Sequence, residues 1–408
     1  MRWTTRRLLG AALTVAPALA GCNLFDVSNP GPIADVNLNV PAAVPGLVTG
    51  MSADLSVALG NLQEISGIAG DDIWHGGSYT AQGLWVRGIL NPDDMDGDWA
   101  RMQRARWVAE DGIRRMQSLS GYTYGEDTHS ARANLFAGFA NRMLGEHVCF
   151  AVIDGGPEED YGLHFSRAEE YFTEALRIAT AINNAPLRNA ALAGRAQVRA
   201  AQGNWAEAAA DAALVPASFV FNAIFSTNSN REQNDFVAET WVRREYSVYN
   251  SPWAQVFGDV RVPWDTVKTS SGAIQTGQDG RTPYFRQRKF GTLDADVPLA
   301  KGTEMLMIRA EAALRSGDIG GAWTLLNEQR AYYGMAPLAV PATVDEAWPV
   351  FRVERGAVLW LEARRFFDLR RWQAESGPAH HSFLDNRDKC FPTSTEERRA
   401  NPNIPDTP

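Results

Sequence analysis

The chain has 408 residues, 45% of them hydrophobic and 21% charged, with a formal net charge of −9. This is a globular composition with ample apolar material for a core, long enough for one large domain or two ordinary ones. Arg2, Arg6 and Arg7 stand in the first 21 residues with no acid, so the remaining body is more acidic still. Such a body argues against nucleic-acid binding and against electrostatic docking on anionic lipid. Thirteen Trp are roughly double the usual share; most anchor a core, but a surplus also suits faces on which flat ligands stack.

The basic start is followed by a short apolar run, Leu8 to Ala20, too short to span a bilayer, which reads as a secretory signal over residues 1–21. Leu19-Ala20-Gly21-Cys22 has the form of a bacterial lipobox, with Cys22 acylated as the first mature residue. Acyl chains on Cys22 would tether the protein to a membrane without spanning it. Cys149 and Cys390 remain; an exported chain either bridges them or buries two thiols.

Residues 23–43 read as an extended tether, and Val44 to about Ile65 has the helical period Leu47, Met51, Leu55, Ala58, Leu59, Leu62. Residues 66–97 read as loop, rich in Gly, Asp and aromatics; helices then dominate to about residue 215. Arg195-Ala196 to Gly203 and Arg309-Ala310 to Gly317 repeat the same spacing, with small residues where helices cross and Gly at the turn. Tyr171 to Ala181 carries a similar second-helix pattern. These predict tetratricopeptide-like helical hairpins, which bury their faces by stacking. Residues 216–299 lose the helical period and are rich in Asn, Ser, Gly and aromatics; Glu245 to Tyr249 and Phe285 to Phe290 predict short strands. A loop-rich insertion of this length in a helical scaffold points to function.

Val350 to Trp372 (VFRVERGAVLWLEARRFFDLRRW) reads as one helix, apolar on two sides and so enclosed by its neighbours. Its spacing predicts ion pairs along the helix, Glu362 with Arg365 and Arg364 with Asp368. The segment Glu362 to Trp372 (EARRFFDLRRW) resembles the C-terminal signature of SusD/RagB-like nutrient-uptake outer-membrane lipoproteins, and Glu362, Arg365, Phe366, Asp368, Arg371 and Trp372 are its structural signature here. Asp296-Val-Pro-Leu with Glu304 to Asp318 resembles that family's internal block. Gly258-Asp259-Val260-Arg261 resembles its Asp-Pro-Arg element, and Cys390-Phe391-Pro392 through Asn401-Pro402-Asn403 its terminal segment. The chain departs from the pattern at Ala363, where Gly is common, which puts a tight backbone contact there in question.

The resemblance implies a mainly α, single SusD-like domain over residues 22–408, with the tetratricopeptide-like scaffold at about 44–215 and 300–375 and the insertion at about 216–299. It also implies a surface-facing, lipid-anchored outer-membrane protein. Such a protein binds an oligosaccharide or another nutrient polymer and delivers it, without breaking bonds, to a TonB-dependent transporter of the SusC kind.

No Gly-x-Ser-x-Gly, His-Glu-x-x-His, P-loop or Gly-x-Gly-x-x-Gly motif is present, and no cofactor or metal is expected. His380-His381 reads as a solvated loop before a metal site. Asp93, Asp94, Asp96 and Asp98 hint at a calcium loop, but Pro92 takes the first ligand position and Gln103 the last, which favours a turn entering a helix. Glu362, Arg365 and Asp368 would draw attention as catalytic groups, yet their place on an enclosed helix favours a structural network. Sugar recognition needs aromatic faces and planar polar groups in a shallow concavity. By composition the candidates are Asp71, Asp72, Trp74, His75, Tyr79 and Trp85 in the first loop and Trp253, Asp259, Trp264 and Tyr284 in the insertion, each aromatic being also a core candidate. Two other readings stay open: a periplasm-facing tetratricopeptide lipoprotein that assembles other proteins, and a glycan hydrolase.

Overall fold

The computed structural model describes residues 35–405, so the expected signal segment and Cys22 lie outside the described residues. Helix α1 (Val44–Ala69) opens the scaffold and runs past the expected end, because Ile65, Ile68 and Ala69 remain in the core. Strand β1 (Trp74–His75) and the short α2 (Thr80–Trp85) give the expected loop some order. Pro92–Asp94 makes a turn into α3 (Asp96–Ser118). The acids there are spent on local partners: Asp94 accepts from Asn91 at 3.1 Å and Asp96 from the Glu396 backbone at 2.9 Å. Next come α4 (Thr128–His147), the paired β2 (Phe150–Ala151) and β3 (Glu159–Asp160), α5 (Gly162–Ala181), α6 (Ala185–Ala201) and α7 (Trp205–Ala212).

The insertion holds β4 (Val220–Ala223), α8 (Asp235–Val237) widening into a π-turn at Ala238–Arg243, β5 (Tyr246–Ser247), β6 (Trp264–Thr266) and β7 (Phe285–Gln287). The expected strands are present but shorter than read, at Tyr246–Ser247 and Phe285–Gln287, because the flanking residues make single backbone bonds and no continuous ladder. Strand β8 (Val297–Lys301) pairs with β4 and returns the chain to the scaffold, a pairing the aperiodic sequence around it does not announce. The remainder is helical: α9 (Gly302–Arg315), α10 (Ile319–Tyr332), α11 (Val344–Leu359), α12 (Arg365–Gln373) and α13 (Thr395–Ala400).

Both repeat copies are helical hairpins. Gly203 and Gly317 turn between α6 and α7 and between α9 and α10 at φ +82° and +81°, the left-handed region that glycine enters without a Cβ penalty. The pairs α4/α5, α6/α7 and α9/α10 stack in chain order, with α7 against α9. Phe172 of α5 shows why small residues mark the crossings. A Cβ on Gly194 would lie 2.3 Å from its ring and one on Gly138 2.7 Å, so both helices close on Phe172 only as glycine.

The expected single helix over 350–372 is instead two helices with a sharp break, and the break is built by other parts of the chain. Leu361 and Ala363 hold left-handed φ values of 58° and 57°. The Leu361 N–H donates to Asp72 Oδ2 at 3.1 Å and its carbonyl accepts from Gln63 Nε2 at 2.8 Å. Lys301 and Lys289 donate to the free C-terminal carbonyls of Val358 and Trp360, each at 2.6 Å, and both ammoniums meet Glu362. A helix end whose last carbonyls face cations has its dipole and its orphan acceptors satisfied together. Because the helix breaks, neither expected ion pair along it forms. Glu362 takes the two lysines, Arg365 takes Asp71 at 2.8 Å, and Arg364 takes Glu146 at 3.1 Å and Glu304 at 2.7 Å. Asp368 takes Arg355 at 2.7 Å and Arg371 at 2.8 Å. The segment is enclosed as expected, apart from Val353, which is exposed rather than packed.

Cys149 and Cys390 form a disulfide that fixes the C-terminal segment beside α4. Phe391 adds to it, bonding its N–H to the His147 carbonyl at 2.7 Å and stacking on Phe366 at 5.5 Å.

Candidate functional site

The two irregular stretches, 66–97 and 216–299, are stitched into one row. Trp74 and His75 pair with Ser247 and Tyr246 through β1 and β5. The Val248 N–H then donates to the Phe285 carbonyl at 2.9 Å, and Ser247 Oγ both donates to the Pro283 carbonyl and accepts from Phe285 N. Strand β7 in turn pairs with β6, setting Trp264 opposite Gln287 and Thr266 opposite Phe285.

This register decides which side chains share a face. Trp264 and Phe285 stack with centroids 4.9 Å apart and planes within 2°. Tyr249 meets Phe285 edge-on at 5.3 Å and Phe257 meets Trp264 at 5.0 Å. Trp264 Nε1 donates to the Trp253 carbonyl at 3.2 Å, which satisfies the indole and locks its plane. Phe257 is 75% exposed, while Trp264, Phe285 and Tyr249 are half-buried, so the cluster presents apolar ring surface to solvent. On the opposite face of the β6/β7 ribbon Arg286 pairs with Asp265 at 2.8 Å and lies 4.5 Å from the Trp241 ring, with Arg288 at 4.9 Å.

At the other end of the row, the Tyr79 hydroxyl donates to Glu239 at 3.3 Å and Arg243 covers the Tyr79 ring at 5.0 Å. Burial pushes Glu239 up to about 7 against the pull of Arg243, and pushes Tyr79 up to about 12. Burial also lowers His75, opposed by Glu245. Glu239 therefore carries a proton for much of its time near neutrality, and can donate as well as accept a hydrogen bond.

Of the sequence candidates, Trp74, His75, Tyr79 and Trp264 belong to this row. The others have different work, which corrects their reading as ligand contacts. Asp71 binds Arg365, and Asp72, fully buried, accepts from Leu361 N and offers its carbonyl to Trp360 Nε1 at 3.1 Å. Trp85, Trp253 and Tyr284 are core residues at 2–3% exposure, the Tyr284 hydroxyl donating to the Thr240 carbonyl. Asp259 clamps Arg261 at 2.6 Å, and Arg261 also reaches Glu354 at 2.6 Å, so the Asp-Val-Arg element ties the insertion to α11. Spacing does not single out Phe257 or Trp241; the alternation Trp264-x-Thr266 and Phe285-x-Gln287 is the one local signal for the shared face. Among the described residues no three His, Cys, Asp or Glu side chains converge as a metal would require.

Residues 280–404 match the model of the SusD family. No curated protein matches the chain. Among solved structures, the fold is similar to that of a SusD-like carbohydrate binding protein from Bacteroides vulgatus, at a TM-score of 0.68 and 15% identity, covering 90% of this chain and 97% of the other. It is similar to surface glycan-binding protein A from Bacteroides uniformis, at 0.66 and 15%, over 89% and 98%. A laminarin binding SusD-like protein gives 0.63 and 14%, over 89% and 99%. The SusD/RagB-like resemblance read from the sequence thus has a family match over residues 280–404, and the tetratricopeptide-like fold is shared with these proteins.

Proposed function

We propose that this chain, whose C-terminal part matches the SusD family, is a cell-surface lipoprotein that captures an oligosaccharide and delivers it to a SusC-like TonB-dependent outer-membrane transporter. The observation that carries the reading is the accessible ring surface of Trp264 and Phe257, backed by Phe285 and Tyr249. Sugar rings stack their C–H faces on such surfaces, and the partly buried Trp74 and Tyr79 continue the row, with His75 largely buried between them. Glycan binding in structural neighbours supports the choice of ligand class. The Leu-Ala-Gly-Cys22 lipobox supports the anchor.

Delivery is tested by pull-down from detergent-solubilised outer membrane. Co-recovery of a TonB-dependent barrel is expected, and recovery of the protein alone counts against the transporter assignment. Cys22→Ser should release the protein from the membrane fraction, and surface proteolysis of intact cells should cleave the wild type. Protection from protease would favour a periplasm-facing scaffold.

A further inference from the structure

A second concavity lies away from the aromatic row, between α1, α3 and residues 225–235. It encloses about 330 Å³, within the size range of ligand sites. Phe225 lines it, with the carboxamides of Asn61, Asn230 and Gln233 among its polar groups. Three arginines and two carboxylates complete the lining, in a chain whose net charge is −9.

The arginines are held, but not saturated. Asp54 is 7% exposed and one of its oxygens, Oδ1, takes both Arg104 Nε at 3.0 Å and Arg231 Nη2. Arg101 reaches Asp98 only at 3.5 Å, and burial pushes that carboxyl up to about 7, so it offsets Arg101 only in part near neutrality. Among the described residues no other partner takes the remaining N–H groups of Arg104 and Arg231. One buried carboxylate thus gathers two guanidiniums, 63% and 55% exposed, whose mutual repulsion an incoming anion would relieve. A neighbouring cavity of about 400 Å³ shares Val57, Phe225 and Arg231 and adds Arg132, which extends the trough beyond the size of one group.

We infer that this trough is a second binding site, and that it takes an oxyanion carried on a sugar: the carboxylate of a uronic acid or a sulfate ester. It uses residues separate from the aromatic row, so the two sites stand or fall independently.

The test is calorimetric titration of the full protein with oligogalacturonate, inorganic sulfate and the neutral glucan laminarin. Wild type should bind oligogalacturonate. Arg104→Gln with Arg231→Gln should weaken that binding by about tenfold or more, and Arg101→Gln, which leaves Asp54 untouched, by a smaller factor. Competition by inorganic sulfate would mark a general oxyanion clamp, and galacturonate binding without it a carboxylate-selective one; either supports the site. Failure of wild type to bind either oligogalacturonate or inorganic sulfate, or equal binding by wild type and both variants, overturns it. Laminarin binding separates the two sites. Its persistence in the arginine variants leaves the aromatic row intact, and its absence in wild type with oligogalacturonate binding retained counts against the aromatic row alone.

Discussion

The segment 350–373 and the aromatic row both concentrate charge and rings, and they use them in opposite ways. In the former Glu354, Arg355, Glu362, Arg364, Arg365 and Asp368 are all 7% exposed or less; Glu354, Glu362, Arg364 and Arg365 pair with elements outside the segment, and Arg355 pairs with Asp368 across its break. In the latter Trp264, Phe257 and Tyr249 keep ring surface open, and Asp265 and Arg288 remain in solvent contact. Density of functional-looking residues therefore does not locate a binding site; what distinguishes one is chemistry left unsatisfied by the fold. A buried ion pair is costly to break because its partner cannot be rehydrated.

The comparison predicts effects of decreasing size. Asp368→Ala takes from buried Arg355 its 2.7 Å partner, leaving Glu304 at 3.8 Å, while Arg371 keeps Glu311; it should cost about 3 kcal/mol in denaturant unfolding, with glycan affinity per folded molecule unchanged. Lost affinity in a fully stable variant would move this segment into the binding site.

The two regions should also show opposite pH signatures. For Asp368, burial alone would raise the pKa, but Arg355 and Arg371 overcome it and hold the group at about 2. Its stabilisation is complete above its unfolded value near 4 and is lost as pH falls through 2. Glu239 is raised to about 7, chiefly by burial, so its favourable contribution exists at low pH and is lost as pH rises through 7. Stability measured against pH should then show Asp368→Asn losing its deficit, about 2 kcal/mol, between pH 4 and 2. Glu239→Gln should instead gain on the wild type between pH 4.5 and 7, by about 2 kcal/mol or less because the group is partly solvated. Parallel curves would show that neither carboxyl is perturbed as described.

Trp264→Ala should cut glycan affinity by about tenfold, roughly 1.4 kcal/mol, with a smaller change in unfolding free energy. The reverse ratio would make the ring a packing element. Smallest is Ala363→Gly. Relief of the left-handed strain at φ 57° should stabilise the fold by about 1 kcal/mol or less, the added freedom of glycine in the unfolded chain offsetting part of the gain. Thermal unfolding measures it; a destabilised variant would mean the Ala363 methyl contributes more packing than strain.

The hairpins were legible because their period, small crossing residues and turn glycines are all local, as Gly203, Gly317 and Gly194 show. The break at Leu361 was not legible, because the residues that make it stand far away. Gln63, Asp72, Lys289 and Lys301 supply the bonds that a continuous helix would otherwise have kept. The same distance hid the ion pairs: Arg365 is three residues from Glu362 but bonds Asp71. Half of the first loop's candidates proved structural for that reason, and the aromatic row is visible only once β1 joins β5 and β6 joins β7.

By itself the sequence determined the helical scaffold, the position of its hairpins and the identity of the enclosed C-terminal segment, since periodicity and turn chemistry act over a few residues. The tertiary structure decided which aromatics face solvent, which charges neutralise one another and where a charged cleft remains open. Those depend on residues brought together across hundreds of positions, and no local pattern encodes such a meeting.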